Sequence, residues 1–330
     1  DDHSRIKKAE WSPRAALVYK PRETQTLRLT YNRAFNTPTT NNLFLDLVSS
    51  PDAFKIGQSF APALGYSPAI DVRVQGTYRK GFDEGFSFRR GADGRPLFRS
   101  PFSPVAKLPP DQYLPLDDPL FTNVMWGVGR QAVLAQFSPQ FQAIVTQQLM
   151  LAGVAQATAQ AQAQALAAGL PNLLPAQLPG LKNRLLELNL GKVEAGAANP
   201  FDPSGGVNDV PLTKPTITQT YELGYKGVLA RKLVMAVDGY RTQVKNFVGP
   251  LAVETPNVFL DAQALAGALA PALTASLSKA ENAAVNQALA GLDGGVQGVV
   301  PGTKNGTPVD ELTQLFTAGA ARIPFGTVSP

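Results

Sequence analysis

The chain has 330 residues, with 30 Lys and Arg, 25 Asp and Glu, one His and no Cys. Because His3 is the sole imidazole and thiols are absent, the sequence excludes a structural zinc site, an iron–sulfur cluster, a disulfide framework and a cysteine nucleophile. Charged residues make up 17%, below the roughly 25% typical of soluble domains. The basic residues are scattered and form no run longer than two, as at Lys7 and Lys8, so we expect no nucleic-acid partner.

Two pairs of segments alternate apolar and polar residues with the two-residue period of a β-strand. The first pair, 11–20 and 26–35, flanks a Pro-containing turn, and the second pair, 220–226 and 233–238, flanks another short connection. The pattern predicts two antiparallel hairpins, with a bulge or surface emergence near Tyr240, which falls on the polar side. The predicted apolar face comprises Trp11, Ala15, Leu17, Tyr19, Leu27, Leu29, Tyr31, Tyr221, Leu223, Tyr225, Leu233, Met235 and Val237. The predicted polar face comprises Arg14, Arg28, Thr30, Asn32, Glu222, Lys226 and Asp238.

The alternation is compatible with two kinds of sheet. In a soluble protein the apolar face would pack on a core. In an outer-membrane barrel it would meet lipid, because eight tilted residues rise about 20 Å, close to the apolar band with its aromatic girdles. Full charges on the polar face and the alternation of short turns with very long connections favour the barrel. No segment reads as a membrane-spanning helix, since even the uncharged stretch 131–181 is rich in polar residues.

The long connections contain one more strand pattern and several helix patterns. Residues 70–78 alternate and are predicted to pair with 86–90 or with 97–102. One helix is predicted to begin at Ser138 and Pro139, and a second is predicted to cover 155–168. A third is predicted along a leucine stripe at 265, 269, 273 and 277, and a fourth from Thr307 to about 318. We expect these helices to form a small cap packed on itself.

Three short motifs suggest chemistry only weakly. Residues 127–132 fit G-x-G-x-x-A, but the stretch 131–181 contains no acidic residue to bind a ribose, so a tight turn before a helix explains them better. Residues 1–4 contain Asp, His and Ser, yet neighbours in sequence cannot point at one another as a triad requires. Asp111, Asp117 and Asp118 could bind a hard cation, although a solvated acidic turn is the simpler interpretation.

The two hairpins resemble the barrel repeat of TonB-dependent outer-membrane receptors. Residues 12–21 (SPRAALVYKP) and 26–35 (TLRLTYNRAF), followed by Pro38 and Thr39, are similar to one strand pair of that family. Residues 214–227 (KPTITQTYELGYKG), with Asp238 and Tyr240 on the return strand, are similar to a second block in the same order. Together these blocks cover about 75 residues of the chain.

The resemblance implies an internal fragment of a 22-stranded transmembrane β-barrel, seen as an open curved antiparallel sheet of about four to six strands with helical loop insertions. It divides the chain into a barrel hairpin (1–35), a long extracellular loop (36–214) with a β-hairpin at about 69–102 and helices at about 138–190, a second barrel hairpin (215–248) and a second, largely helical extracellular loop (249–330). The plug domain, the TonB box and the terminal aromatic strand of the family are expected to lie outside this sequence.

The implied function is active uptake of a scarce solute, of the siderophore-iron, cobalamin or glycan class, across the outer membrane of a Gram-negative cell. Its partners would be outer-membrane lipid, the TonB complex acting through the plug, and the imported small molecule. The apolar set above would face lipid and the polar set would face the barrel lumen. Such a wall needs no catalytic residue, cofactor or metal. The alternative is a soluble or surface-anchored β-rich binding protein with a helical insertion.

Overall fold

The fold is that of a computed structural model, which describes residues 10–37, 46–52, 60–61, 64–69, 71–75, 88–189, 191–192, 195–197, 199–204, 206–207, 209, 214–247, 256–295 and 302–328. The chain divides into two compact units. The first contains residues 1–49, 73–87 and 208–253, and the second contains residues 50–72, 88–207 and 254–330.

The elements of the described residues follow in chain order. The strands are β1 (Arg14–Arg22), β2 (Gln25–Asn36), β3 (Asp46–Ser50), β4 (Val72–Gln75), β5 (Leu97–Arg99), β6 (Leu114–Pro115), β7 (Asn183–Leu188), β8 (Phe201–Pro203), β9 (Thr216–Leu229), β10 (Leu233–Lys245), β11 (Asn257–Leu260) and β12 (Gly326–Val328). The helices are α1 (Pro119–Leu151), α2 (Gln156–Leu173), α3 (Ala262–Leu277), α4 (Ala283–Leu289) and α5 (Val309–Ala320). Short 3₁₀ turns occupy Ser103–Ala106, Ala280–Asn282 and Ala290–Leu292.

The first unit contains an open antiparallel sheet of order β1-β2-β9-β10. The two predicted hairpins are confirmed, and β2 pairs with β9 over the whole length of β2, from Gln25 opposite Gly227 to Asn36 opposite Thr216. No pairing joins β1 to β10 in the described residues, so the sheet does not close on itself there.

The second hairpin closes through a tight turn without glycine. Ala230 and Arg231 both have positive φ, at 52° and 58°, and Lys232 N–H donates to the Leu229 carbonyl at 3.1 Å. Two positive φ values are the signature of a type I′ turn, whose twist matches that of the flanking strands. The predicted bulge at Tyr240 is wrong, because β10 pairs with β9 without a shift from Leu233 to Lys245. Tyr240 instead projects from the polar face and is 79% exposed.

The second unit has a six-stranded antiparallel sheet of order β6-β5-β12-β11-β7-β8. β11 and β12 come from the end of the chain, yet they lie between strands of the earlier stretch: β12 pairs with β5 and β11 pairs with β7. The two predicted loop stretches, 36–214 and 249–330, thus meet in one sheet. Both stretches contribute to one compact unit, and residues 73–75 cluster with the hairpins.

Aromatic side chains connect the two stretches in the core of this unit. The rings of Phe201 and Phe259 are 4.8 Å apart between centroids, and those of Phe102 and Phe325 are 5.3 Å apart. Phe102, Phe259 and Phe325 are almost completely buried. Burial of such large apolar groups is the main stabilising contribution available to this unit.

The predicted helices exist, but two of their ends are wrong. α1 begins at Pro119, where the Asp118 side chain accepts from Phe121 N–H at 2.9 Å, and it continues through Pro139 without ending. α2 continues past Gly169 and Pro171 to Leu173. The leucine stripe is confirmed, because residues 265, 269 and 273 of α3 have no exposed surface and Leu277 has 5%. The end of a helix depends on where its terminal backbone carbonyls and amides find hydrogen-bond partners. In α1 and α2 the packing of the unit determines where these partners are.

The glycine motif at 127–132 lies inside α1 and not at a helix start, so the predicted tight turn and the dinucleotide hypothesis are both wrong. Gly129 lies where α1 crosses α5, and a β-carbon there would be 2.7 Å from Cβ of Ala320. The glycine allows the two helices to approach closely. Gly127 has open space around its Cα.

Of the two pairings predicted for residues 70–78, the one with 97–102 is wrong, while residues 86–87 of the other lie outside the described part of the chain. β4 forms a two-stranded sheet with β3, while both edges of β5 are occupied by β6 and β12. Residues 97–102 therefore cannot pair with β4. Residues 76–87 lie outside the described part of the chain, as do residues 1–4 of the weak triad motif.

Candidate functional site

The pairing of the four-stranded sheet assigns the predicted residues to two opposite faces. One row across the sheet joins Leu17, Leu29 and Leu223, and the row beside it joins Tyr19, Leu27, Tyr225 and Val237. Residues directly opposite each other in an antiparallel pair share a face. By this criterion every strand residue of the predicted apolar set lies on one face. Trp11 precedes β1 and is 81% exposed.

The apolar face is uncovered. Leu17 is 66% exposed, Leu223 is 57% exposed, Leu29 is 50% exposed and Met235 is 36% exposed. A four-stranded sheet in water is normally stabilised by packing one apolar face on a core. The absence of such packing at these side chains argues against the soluble alternative, and a contiguous apolar surface of this kind is typical of a membrane or protein interface.

The opposite face brings charged and polar side chains together across three strands. Arg28 forms an ion pair with Glu222 at 2.5 Å and reaches Asp238 at 4.0 Å. Thr30 Oγ1 donates to the other oxygen of Glu222 at 3.0 Å. These side chains are one third to more than half exposed, so each pair contributes only modestly to stability, and the face is suited to contact with water.

Tyrosines lie in two rows of the apolar face, one at the end of the band and one within it. At one end the rings of Tyr31 and Tyr221 lie 5.0 Å apart, and the Tyr31 hydroxyl accepts from Gln219 Nε2 at 3.2 Å. Two rows away, Tyr19 and Tyr225 lie on either side of Leu27 on the same face. From Tyr221 to Leu229 the strand advances about 26 Å, or roughly 20 Å when tilted as in a barrel. This height is close to that of a lipid-facing band.

The two ends of the sheet differ in their connections. Glu23–Thr24 and residues 230–232 form short turns at one end, whereas β2 and β10 lead into long connections at the other. Short periplasmic turns and long outward loops are characteristic of bacterial outer-membrane barrels. None of the helices in the described residues combines the length and the hydropathy that a bilayer-spanning helix requires.

The acidic residues near 117 have structural partners. Asp117 accepts from Asn183 N–H at 2.5 Å and forms an ion pair with Arg95 at 2.9 Å, while Asp118 caps α1. Within the described ranges no three His, Cys, Asp or Glu side chains are grouped so that they could hold a metal ion. The cation hypothesis for Asp111, Asp117 and Asp118 therefore finds no support in the geometry.

A groove between α1 and α2 was not anticipated from the sequence. It has a volume of about 790 Å³ and its lining is uncharged, with four glutamines at positions 142, 147, 160 and 164. The alternation of Ala and Gln in α2 could have indicated a polar helix face, but only the packing of α2 against α1 forms the groove.

A buried glutamate in the second unit, next to a partly exposed aspartate, was also missed by the sequence interpretation. Glu311 has no exposed surface; its Oε1 accepts from Gly294 N–H at 2.9 Å, and its Oε2 has no hydrogen-bond donor in the described residues. Burial raises the pKa of Glu311, and the adjacent Asp310 carboxyl raises it further, against the opposing effect of the backbone N–H groups. Burial also acts to raise the pKa of Asp310, but hydrogen bonds from Glu311 and Asn305 lower it overall. The two adjacent carboxyls thus have pKa values shifted in opposite directions, with Glu311 the weaker acid.

This arrangement predicts that the second unit loses stability as the pH rises. A carboxyl with a raised folded-state pKa stabilises the fold fully below its unfolded pKa, and this contribution is lost as the pH rises through the folded pKa. In Glu311→Gln a neutral amide replaces the carboxyl, so the decline in thermal unfolding temperature as the pH rises through the folded-state pKa of Glu311 should be smaller than in the wild type. Glu281→Gln is the control, because the Glu281 side chain is 74% exposed. Equal pH profiles for the wild type and Glu311→Gln would contradict the prediction.

Comparison with known proteins gives a match at the beginning of the chain. Residues 2–94 match the family model described as TonB dependent receptor-like, beta-barrel. No curated protein and no solved structure matches the chain. The matched range contains β1 and β2 and the segments 12–21 and 26–35. The similarity of this part of the chain to the β-barrel of TonB-dependent receptors is therefore confirmed.

Proposed function

We propose that the chain forms part of the barrel wall and the outward insertions of a TonB-dependent receptor that imports a scarce solute across the outer membrane. The solute would be of the siderophore-iron, cobalamin or glycan class, and energy would reach the barrel from the TonB complex through a plug. The thirteen residues of the apolar set would face lipid, and the seven of the polar set would face the lumen. The polar pairs at Arg28 and Glu222 would line a wet interior.

One observation carries this proposal: an uncovered apolar face with two rows of tyrosines lies opposite a charged face, within a chain whose first 94 residues include a barrel-family match. A soluble binding protein would leave this face in water, at a cost of about 25 cal/mol per Å² of apolar surface. Contact of this face with lipid would remove that cost. An enzyme is not favoured by any group of side chains in the described ranges.

The topology can be tested by cysteine labelling, because the chain has no natural cysteine. Leu151→Cys places a thiol at an 83% exposed position at the end of α1, and Glu23→Cys places one in a short turn. In intact cells that produce the full-length protein, a membrane-impermeant maleimide should label Leu151→Cys. Glu23→Cys should react only after the outer membrane is permeabilised, as expected for a periplasmic turn.

The control is labelling of both variants in detergent, where both thiols should react. Labelling of Glu23→Cys in intact cells, or recovery of the protein outside the outer-membrane fraction, would contradict the proposed function.

A further inference from the structure

The groove between α1 and α2 follows the final turns of α1. Its α1 side is lined by one helical face, which consists of Pro139, Gln142, Ala143, Thr146, Gln147, Met150 and Leu151. α2 contributes Gln160 and Gln164, which are one turn apart on the same side of that helix. From residue 139 to residue 151 α1 advances about 18 Å. With a volume of about 790 Å³, the groove has the size of a site for a small organic ligand.

The amide groups in the groove are available to a ligand. Within the described part of the chain, none of the four lining glutamine side chains forms a hydrogen bond with another residue. Gln148, which does not line the groove, differs, because its amide packs closely against Gly291. Each primary amide offers two N–H donors and one carbonyl acceptor. Glutamines from two helices thus converge on one concave surface, as polar groups do in ligand sites.

The groove contains no charged side chain. The surrounding sequence could not supply one, since residues 131–181 contain no Asp, Glu, Lys or Arg. Arg130, the last charged residue of α1, donates to the carbonyls of Leu174 and Pro175 at 3.1 and 3.0 Å. A charged ligand would lose part of its hydration in the groove without meeting an opposite charge. The groove therefore favours an uncharged ligand.

Apolar side chains complete the lining at the end where α1 stops. Leu151 is 83% exposed and Met150 is 46% exposed, and the flexible thioether of Met150 adapts to irregular shapes. A sugar ring matches both kinds of lining. Its hydroxyl groups donate and accept hydrogen bonds, as the glutamine amides do, and its C–H face can cover the apolar side chains. A carboxylate or a phosphate would use only the N–H donors.

We propose that the groove between α1 and α2 binds a short, uncharged oligosaccharide through the amides of its four glutamines. The glutamines of the two helices would hold hydroxyl groups of neighbouring rings, and Met150 and Leu151 would cover the C–H face of one ring. The inference goes beyond the proposed function, because it requires only the packing of α1 against α2. It holds whether or not the sheet of the first unit lies in a membrane.

Binding is measured by calorimetric titration of the full-length protein, in a detergent without a sugar headgroup, with maltotriose, cellotriose and chitotriose as neutral probes. Gln160→Leu/Gln164→Leu removes two hydrogen-bonding groups and should raise the dissociation constant of the bound trisaccharide about tenfold. The matched control is Gln156→Leu/Gln162→Leu, which removes two exposed amides of α2 that do not line the groove. The control should bind the trisaccharide as the wild type does.

Charged probes give a second readout. Anionic trigalacturonate and the cationic chitosan trimer should bind the wild type about tenfold more weakly than the best neutral trisaccharide. Gln164→Glu introduces one negative charge in a side chain of almost the same shape and helix propensity. It should strengthen binding of the chitosan trimer and weaken binding of trigalacturonate, a pair of opposite effects that misfolding cannot produce.

Two results would overturn the carbohydrate site. The first is that none of the neutral trisaccharides binds at millimolar concentration, or that the control variant loses binding as much as Gln160→Leu/Gln164→Leu does. The second is that N-acetyl-trialanine amide binds as tightly as the trisaccharides and is lost in the same double variant, which would assign the groove to a neutral peptide. Neither result changes the expected cysteine labelling, so this inference and the proposed function fail separately.

Discussion

Replacing Leu17 with arginine is expected to destabilise the sheet in a lipid bilayer by about 2–4 kcal/mol, the cost of a basic residue on the lipid face near the bilayer midplane. Leu17 lies in the central row of the apolar band, opposite Leu29, and is 66% exposed. If that surface faced water, the same substitution would change stability by no more than about 0.5 kcal/mol. The two environments of the face thus predict clearly different results.

Ala16→Arg is the matched control, because Ala16 is the preceding residue of β1 and lies opposite Thr30 on the polar face. An arginine there would meet a wet lumen near Glu222 and should cost little. Both variants of the full-length protein are refolded into vesicles, and the free energy of unfolding is measured by urea titration. Equal, small effects of the two variants would show that the apolar face is not in lipid.

Phe259→Ala is expected to destabilise the second unit by about 3–5 kcal/mol, as large-to-small substitutions of buried aromatic residues do. Phe259 is 1% exposed and belongs to a buried cluster with Leu186, Leu188 and Phe201. These three residues come from the stretch before the second hairpin, whereas Phe259 follows it. The unfolding of one stretch should therefore entail the unfolding of the other.

Limited proteolysis can measure this coupling, because protease-sensitive sites in α1 and α3 report on the two stretches separately. In Phe259→Ala both helices should become sensitive at the same denaturant concentration. Leu120→Ala is the control, since Leu120 is 59% exposed and its truncation should change stability by less than about 0.5 kcal/mol. If α3 became sensitive while α1 stayed protected, the two stretches would be independent folding units.

The two faces of the sheet could be predicted from the sequence because their cause is local. In a strand, alternate side chains point to opposite faces, so the parity of Leu27, Leu29 and Tyr31 already separates them from Arg28 and Thr30. A shift of one residue in register would move every apolar side chain to the polar face, so the alternation also restricts the pairing. The stripe of leucines in α3 was predictable for the same reason, with a period of 3.6 residues.

The start of α1 and the role of Gly129 were not predictable by the same means. Ser138 and Pro139 carry a valid helix-start pattern, but tertiary contacts of Phe121, Met125 and Trp126, all fully buried, extend the helix back to Pro119. The glycine motif resembles a nucleotide-binding turn in the spacing of its residues along the sequence, but not in its three-dimensional structure. Gly129 is needed because α1 crosses α5 at Ala320, a residue almost two hundred positions away in the sequence.

By itself the sequence determined the hairpins, their apolar and polar faces, the resemblance to a barrel family, and the exclusion of metal–thiolate and cysteine chemistry. These features depend on residue type and on spacings of a few residues. Only the tertiary structure decided that β11 and β12 enter the sheet of the earlier stretch and that Glu311 is buried beside Asp310. It also decided that Arg241 and Lys245 lie on the apolar face, because the unbroken pairing of β10 with β9 places them opposite Tyr221 and Ile217. Each of these depends on pairings between distant segments, whose closure is stabilised by burial that no local pattern records.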